Sequence, residues 1–369
     1  MCIRDRSGGT VTYVQPTCSA NLSVTNTTGS YAARESRYVF KYQPGKSQLA
    51  LMTFVMAPQS TNNLRQQVGY FGTDNGYFVQ LSDAIYLCER SNSTGTITHS
   101  NVAQSSWNGD KLNGTGASGI NLDISKSQIF FTDLEWLGVG SVRCGFVING
   151  QFIVAHTFNH ANIVSRTYMT TACLPVRYEI QTLTTSAPAT SNLQQICCTV
   201  ASEAGFSEPL TNFSNLYSFT ASNGSWTPLI SMRLDPTRLE AISVVRQVDI
   251  ALTSSGTLQW ALWTTSNVTG VSFTAPPNNG SIVIAQGGTL NVASSYQLAS
   301  GLVTNGGGNS VIASTTDIKN YFSQIGRDSF SKTSDTLTLA VYGAGTPSAA
   351  GYALLSCCLL YTSDAADDT

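Results

Sequence analysis

SVRCGFVINGQFIVAHTF, residues 141–158, decides the fold, because two alternating apolar runs flank an Asn-Gly pair. Alternation with a period of two is typical of a β-strand, whose successive side chains point to opposite faces. Asn149-Gly150 is the preferred pair for a type I′ turn, in which both central residues need positive φ. The stretch therefore predicts a β-hairpin with one buried face on its first strand. The residues expected on that face are Val142, Cys144, Phe146 and Ile148.

The same kind of pattern extends over most of the chain. Short runs rich in Val, Ile, Phe, Tyr and Thr are separated by Gly, Asn, Ser and Thr, which is typical of sandwiches and jelly rolls. We therefore predict an all-β fold. An antiparallel β-sandwich of jelly-roll or concanavalin-like type is expected at residues 7–205, and a smaller β-rich domain at residues 206–356. One amphipathic helix is predicted near Thr316–Ile325 from its apolar spacing.

The two ends of the chain have a different character from the rest. Residues 1–6 read MCIRDR, and the tail reads CLLYTSDAADD. Back-translation of both segments fits opposite strands of a transposase adapter used in sequencing. We therefore predict that residues 1–6 and 357–369 are adapter sequence around an environmental gene fragment, and exclude them from the fold. They contain two arginines and four aspartates, so the formal charge of −2 becomes about zero without them.

Composition excludes several classes of partner. A nearly neutral chain in which only 11% of residues are charged has no electrostatic footprint for nucleic acid. No apolar stretch is long enough to span a membrane, so no membrane insertion is expected. The nine cysteines form no C-x-x-C pair, and those within apolar runs are expected to be buried free thiols, which suits a reducing cytoplasm. No sequence motif for a cofactor is present, and we predict none.

A Gly- and Asn-rich loop, WNGDKLNGTGASGINLD at residues 107–123, is the candidate ligand-binding segment. Trp107 can stack on a sugar ring, while Asp110, Asn113 and Asp123 offer oxygen atoms to a sugar or a calcium ion. Their spacing matches no EF-hand, and a long structural turn is the alternative. These four residues are the predicted glycan- or ion-binding set.

Two further pairs of side chains are candidates for metal binding or catalysis. His156 and His160 can face the same way in an extended strand and begin a metal site, although zinc needs three or four ligands. Asp133 and Glu135 alternate in FFTDLEWLG and resemble part of the E-x-D-x-E arrangement of laminarinase-type glycoside hydrolases. Phe131 occupies the position of the nucleophile, so the pair is expected to be a sheet-surface feature with Arg143 or Arg177 as a salt-bridge partner.

The central part of the chain resembles a family of virion structural proteins of marine tailed phages. The resemblance rests on GYFGTDNGYFVQLSD, the loop at residues 107–123, FFTDLEWLGVGSVRCGFVINGQFIVAHTFNHAN, YMTTACLPVRYEI and LQQICCTV, and it covers about residues 65–205. It implies a component of the tail, baseplate or fibre, assembled in the bacterial host cytoplasm, whose partners are other virion proteins and further copies of itself. It implies no catalytic residue.

From these observations we predict a structural virion protein that is not an enzyme and that forms homo-oligomers. The alternative is a lectin-like adhesin of a tail fibre that binds a host surface glycan through the loop at residues 107–123. A glycan depolymerase that uses Asp133 and Glu135 is the third hypothesis. It requires these two carboxylates to line a groove.

Overall fold

The computed structural model describes residues 1–58, 63–184, 190–203, 211–276, 280–306, 312–317, 324–344 and 349–360. The chain divides into two compact units, Met1–Phe206 and Ser207–Thr369. Antiparallel β-strands dominate both units, so the predicted all-β class is confirmed. Within the described residues the helices are short 3-10 turns at Gln15–Thr17, Gln104–Ser106 and Val292–Ser294. None of the helices found there has the length and hydrophobicity to cross a membrane.

The first unit contains fourteen strands in its described residues. They are β1 Cys2–Arg6, β2 Thr10–Val14, β3 Ser19–Thr25, β4 Tyr31–Glu35, β5 Gln48–Val55, β6 Leu64–Phe71, β7 Gly76–Leu81, β8 Ile85–Ser91, β9 Thr98–Ala103, β10 Gln128–Leu134, β11 Val142–Ile148, β12 Gln151–Phe158, β13 Val176–Thr182 and β14 Thr190–Ser202.

These strands form a sandwich of two seven-stranded sheets. Sheet A has the order β1-β4-β13-β6-β7-β8-β9, and sheet B has the order β12-β11-β10-β5-β14-β3-β2. One hydrophobic cluster with side chains from both sheets fills the space between them, and each fully buried Phe or Leu in it contributes about 1.5–3 kcal/mol. The face of each sheet that lies toward this core is its inner face, and the opposite one is its outer face.

The hairpin at residues 141–158 forms as predicted. β11 and β12 pair in antiparallel fashion, and Asn149 and Gly150 connect them with φ values of +53° and +76°. Val142, Cys144 and Phe146 are buried in the core, and Ile148 packs against it. The alternation read from the sequence therefore assigned the correct inner face to β11.

The described parts of the predicted adapter segments lie in strands. β1 pairs with β4 at the edge of sheet A. In the second unit, the strand Ala350–Leu360 extends past residue 357. An open sheet edge accepts an extended segment such as β1 through backbone hydrogen bonds alone, and most of Ala350–Leu360 precedes residue 357, so neither pairing tests where the segments come from. Their origin as adapter sequence stays a prediction.

The second unit is a separate arrangement of antiparallel sheets. Its described strands are β15 Thr211–Thr220, β16 Trp226–Leu234, β17 Ile242–Leu252, β18 Gly256–Thr264, β19 Asn267–Thr269, β20 Ile282–Gln286, β21 Thr289–Asn291, β22 Tyr296–Asn305, β23 Ile312–Asp317, β24 Leu337–Gly343 and β25 Ala350–Leu360. The sheet orders are β15-β25-β17-β23, β20-β16-β24-β18-β22 and β19-β21. A second hydrophobic cluster lies between the two larger sheets.

The helix predicted near Thr316–Ile325 does not begin where expected. Thr316 and Asp317 are the last residues of β23, which pairs with β17. β-Branched Thr residues at the end of this run favour a strand, and the pairing with β17 satisfies their backbone groups. Residues 318–323 lie outside the described residues.

Candidate ligand-binding site

Trp107 is a core residue. Its indole is 2% exposed, its Nε1 donates a hydrogen bond to the Val102 carbonyl oxygen at 3.0 Å, and its ring packs against Phe146 at a centroid distance of 6.5 Å. A satisfied and buried indole offers no free ring face to a sugar. The stacking role expected for Trp107 therefore has no structural basis.

The loop oxygen atoms predicted to hold a ligand instead hold the loop's own backbone. The Asp110 carboxylate accepts hydrogen bonds from the backbone N–H groups of Leu112 and Ser118 at 2.9 and 2.7 Å. Asn113 and Asp123 each accept hydrogen bonds from the residue two positions further on. These are Asx-type turns, in which a short polar side chain replaces a backbone acceptor. The loop is built as a structural turn, the alternative raised from its sequence.

His156 is packed as a neutral imidazole. Its Nδ1 accepts a hydrogen bond from the backbone N–H of Asn108 at 3.2 Å, and its ring lies edge-on to Phe158 at 4.6 Å. Burial lowers the pKa of His156, which favours the neutral form that this hydrogen bond requires. Across the described ranges, no group of three or more His, Cys, Asp or Glu side chains is placed to hold a metal ion.

His160 lies in a different environment, among titratable groups from sheet A. Its Nδ1 is 2.6 Å from the Gly140 carbonyl oxygen, and since a carbonyl only accepts, this nitrogen carries a proton. Its Nε2 is 3.2 Å from Glu89 Oε1 and 3.4 Å from the Tyr77 hydroxyl. The ring stacks on Tyr168 with centroids 3.7 Å apart. The structure thus pairs His160 with Glu89 of β8.

His160, Glu89 and Tyr168 line a pocket of about 540 Å³. The end of β8, the β8–β9 turn and the start of β9 form one side, and the segment after β12 forms the other. Seven of the fifteen lining residues are Ser or Thr, and the side chains of Asn159, Arg166 and others complete the wall. Most lining residues are therefore polar or charged, and the exposed lining surface is shared between polar and apolar atoms.

Local backbone chemistry holds the segment after β12 in place. The N–H groups of Ile163 and Val164 both donate to the His160 carbonyl oxygen at 3.0 Å, which closes a turn. Asn162, inside this turn, has a φ of +63°, a conformation that Asn tolerates better than most residues. The N–H of Tyr168 donates to the Gly138 carbonyl oxygen at 3.0 Å and returns the segment to the sandwich.

The Tyr168 hydroxyl has no hydrogen-bond partner among the described residues, although the side chain is only 3% exposed. Burial raises the pKa of both Tyr168 and Tyr77, so both phenols stay protonated at neutral pH. An unpartnered buried hydroxyl is unfavourable by roughly 1–3 kcal/mol, and a ligand or a water molecule that bonds to it removes this penalty.

Most residues of this pocket escaped sequence reasoning. Glu89 lies in AIYLCERS, a run that predicts only a strand, and Tyr168 is more than seventy residues away from it in the chain. His160 was a candidate, but for a metal site with His156. One feature of the sequence could have pointed to Glu89. Leu87 and Glu89 share a face of β8, so a carboxylate lies on the inner, otherwise apolar face near the end of this strand.

Asp133 and Glu135 do not form a carboxylate pair along one strand. Asp133 lies on the outer face of sheet B and forms a salt bridge with Arg143 of β11, one of the two partners expected from the sequence. Glu135 follows the end of β10 and is exposed. The arrangement required for the depolymerase hypothesis is therefore absent from this described part of the sandwich.

No protein-family model matches the chain, and no curated protein matches it by sequence. Several solved structures are similar in fold. A β-glucanase from Bacillus licheniformis has 10% identity and a TM-score of 0.33, over 54% of this chain and 91% of that protein. An alginate lyase from Klebsiella pneumoniae has 8% identity and a TM-score of 0.33, over 54% and 86%. At such values the likeness concerns the sandwich fold alone.

The prediction that the protein is not an enzyme is wrong. The similar structures include a β-glucanase, two alginate lyases and a xylosidase, which are named for cleavage of polysaccharides. The exclusion rested on the lack of a local catalytic motif. In a sandwich, however, side chains from several strands combine on one face, so the lack of a motif excludes no catalytic site.

Proposed function

We propose that the protein binds a glycan in the pocket beside His160, as a component of a tailed-phage particle. The pocket carries this proposal, because its lining matches the hydrogen-bonding capacity of a sugar. Sugar hydroxyls both donate and accept, and so do the Ser and Thr hydroxyls and the Asn159 amide of the lining. The Glu89 carboxylate only accepts and the Arg166 guanidinium only donates, which lets them fix the orientation of a ligand.

Three features support binding at this place rather than at the loop of residues 107–123. The pocket has the volume of a small-molecule site, which usually measures about 300–1,000 Å³. The Glu89 carboxylate, whose Oε1 lies at His160, lines the pocket and can accept a hydrogen bond from a ligand there. The Tyr168 side chain lines the pocket, and its buried hydroxyl is unpartnered among the described residues. The proposal that the protein is a component of a phage particle rests on the resemblance of residues 65–205 to virion structural proteins.

The experiment is a titration of the full chain with a panel of bacterial surface glycans, followed by two pocket variants. Glu89→Gln keeps the side-chain shape and removes the charge. Because a hydrogen bond to a charged group contributes about 1.5–3 kcal/mol, this variant should weaken binding at least tenfold. Tyr168→Phe removes one neutral hydroxyl and should weaken binding about two- to tenfold.

The controls separate a pocket effect from a folding effect. Tyr168→Phe breaks no hydrogen bond of the described protein, so its unfolding temperature should equal or exceed that of the original chain. Glu203→Gln changes an exposed carboxylate at the end of β14, outside the pocket, and should leave glycan affinity unchanged. Binding that survives both pocket variants and is lost in Asp110→Ala would contradict the proposal and favour the loop.

Self-assembly is a second candidate function, favoured by the outer face of sheet B. Leu51, Phe131 and Val147 lie on this face, and Phe131 contacts Phe152 at a centroid distance of 5.1 Å. The Phe152 side chain is 53% exposed. Contiguous apolar surface of this kind is typical of protein–protein contacts, and further copies of the chain are the partners we propose for it.

Light scattering of the full chain at micromolar concentration tests the assembly proposal. We expect an oligomer whose mass falls toward that of the monomer in Phe152→Ser. Tyr13→Ser changes an exposed aromatic residue on β2, at the far edge of the same sheet, and should leave the mass unchanged. A strictly monomeric chain would contradict assembly through this face and would leave the glycan proposal intact.

A further inference from the structure

The outer face of sheet A carries a buried charged network that neither the pocket nor the apolar face explains. Arg177 Nη1 donates to Glu35 at 2.9 Å, and its Nε and Nη2 donate to Glu179 at 3.0 and 2.8 Å. Nη2 also donates to the Tyr31 hydroxyl at 2.6 Å. Glu179 accepts a longer bond from Arg65 at 3.4 Å. Both carboxylates of this face are thus engaged by arginines.

Arg90 is a second buried cation on the same face, and it lacks a carboxylate partner. The residue is 9% exposed, and no salt bridge to it exists in the described part of the chain. Its Nη1 donates to the Gly72 carbonyl oxygen at 2.7 Å, while its Nε has no partner there. The guanidinium lies 5.1 Å from the ring centroids of both Phe71 and Phe78.

The charges of this face do not balance. Arg65, Arg90 and Arg177 all act electrostatically on Glu179, and Glu35 interacts with Arg177. Burial lowers the pKa of Arg90, Glu179 opposes this effect, and Arg177 and Arg65 add to it. A buried charge without a counter-charge is costly, because neither the aromatic rings nor one carbonyl replaces its hydration shell.

A second polar group beside the arginines is also incomplete. Gln67 is 2% exposed and lies on this face between β13 and β7. Its amide donates to Gln80 Oε1 at 2.7 Å, but its own Oε1 has no partner among the described residues. Unsatisfied buried groups in a folded protein mark either internal water or a site whose ligand completes them.

We propose that the outer face of sheet A is an anion-binding site, in which Arg90 receives a carboxylate or sulfate group of an acidic polysaccharide. The planar guanidinium suits both anions, and the surrounding positive charge favours them over neutral sugars. Arg65, with a side chain that is 33% exposed, supplies additional positive charge at the same face. This site is distinct from the pocket beside His160 and can exist without it.

Arg90→Met tests the proposal, because it separates stability from binding. Replacement of an unpaired buried cation by an apolar side chain should maintain or raise the unfolding temperature of the full chain. Polygalacturonate, dextran sulfate and neutral dextran of matched length are the probes. We expect the original chain to bind at least one of the two anionic probes and not dextran, and Arg90→Met to bind it at least tenfold more weakly.

Arg143→Met is the matched control, since Arg143 is an arginine on the outer face of the other sheet. It should retain the affinity of the original chain for the anionic probe. A preference for polygalacturonate assigns the site to carboxylates, and a preference for dextran sulfate assigns it to sulfates. The proposal is overturned if the original chain binds neither anionic probe, if Arg90→Met binds as well as the original chain, or if Arg90→Met unfolds at a lower temperature.

Discussion

The outer faces of the two sheets in the first unit have opposite chemistry, although both arise from the same strand alternation. On sheet A, Arg177 and its two glutamate partners are buried in a charged network. On sheet B, Phe131 and Phe152 form an apolar surface, with one salt bridge of Asp133 near its end. The difference depends on which residues lie opposite each other on neighbouring strands. A sheet face, rather than a single strand, is therefore the unit that carries function here.

The largest effect is expected from removal of the central arginine of sheet A. Arg177→Met leaves Glu35 and Glu179 buried without their main counter-charge, so the first unit should lose about 3–5 kcal/mol of stability. Alkylation of the buried Cys144 in increasing urea, read by peptide mass spectrometry, reports unfolding of this unit.

Arg143→Met is the comparison on sheet B. Its side chain is 59% exposed, so loss of its salt bridge with Asp133 should cost less than about 1 kcal/mol. If the two variants expose Cys144 at the same urea concentration, the contrast between a buried and a surface network is wrong.

Replacement of glycines that lie beside aromatic rings should cause the next largest loss of stability, and the loss should be similar on the outer faces of both sheets. A Cβ at Gly69 would lie 2.5 Å from Phe78 Cβ, and one at Gly145 would lie 2.9 Å from Phe131 Cε1, each with a backbone oxygen closer still. Gly69→Ala and Gly145→Ala should each lose about 1–3 kcal/mol through overpacking. Thermal melting followed by circular dichroism measures this loss. Gly72→Ala, whose Cβ meets nothing closer than 3.6 Å, should melt close to the original chain.

Acid should act differently on the two faces. Burial by itself would raise the pKa of Glu179, but Arg177, Arg65 and Arg90 outweigh it, and the pKa is lowered. A carboxyl with a lowered folded pKa stabilises the protein above its unfolded pKa of about 4.3, and this stability is lost as the pH falls through the folded value. The urea midpoint for Cys144 exposure should therefore decrease as the pH drops below about 4, read here with a pyridyl disulfide reagent, which reacts with thiols in acid whereas alkylation needs the thiolate. A Glu179→Gln variant whose midpoint falls as steeply as that of the original chain would refute this assignment.

The smallest effect is expected at Asp133 of sheet B, where the pKa shift has the opposite sign. Burial raises the pKa of Asp133 despite the opposing charge of Arg143. A carboxyl whose pKa is raised in the folded state stabilises the fold while it is protonated and destabilises it when it is ionised. This stabilisation is therefore lost as the pH rises through the folded pKa. Asp133→Asn should therefore change stability at pH 7 by less than about 1 kcal/mol, without a net loss. A larger loss in urea unfolding would show that its salt bridge outweighs burial.

Sequence reasoning succeeded where the information was local. Asn149-Gly150 requires a turn with positive φ at two successive residues, and few other conformations suit that pair. The alternation of β11 then assigned its buried residues correctly. The same reasoning could not decide the role of the polar side chains in the loop at residues 107–123. A Gly- and Asn-rich loop has the same composition whether its carboxylates bind a ligand or, as for Asp110, the loop's own backbone.

The sequence by itself determined an all-β chain, the hairpin at residues 141–158 and the inner face of β11, because these depend on neighbours in the chain. Only the tertiary structure decided which distant residues meet. Glu89 meets His160, and Arg90 shares a face with Arg177, since antiparallel pairing brings together strands that are far apart in sequence. Charge shows the difference most clearly. The formal net charge of −2 is a sum over the whole chain, whereas an unpaired buried cation such as Arg90 depends on what the fold places around it.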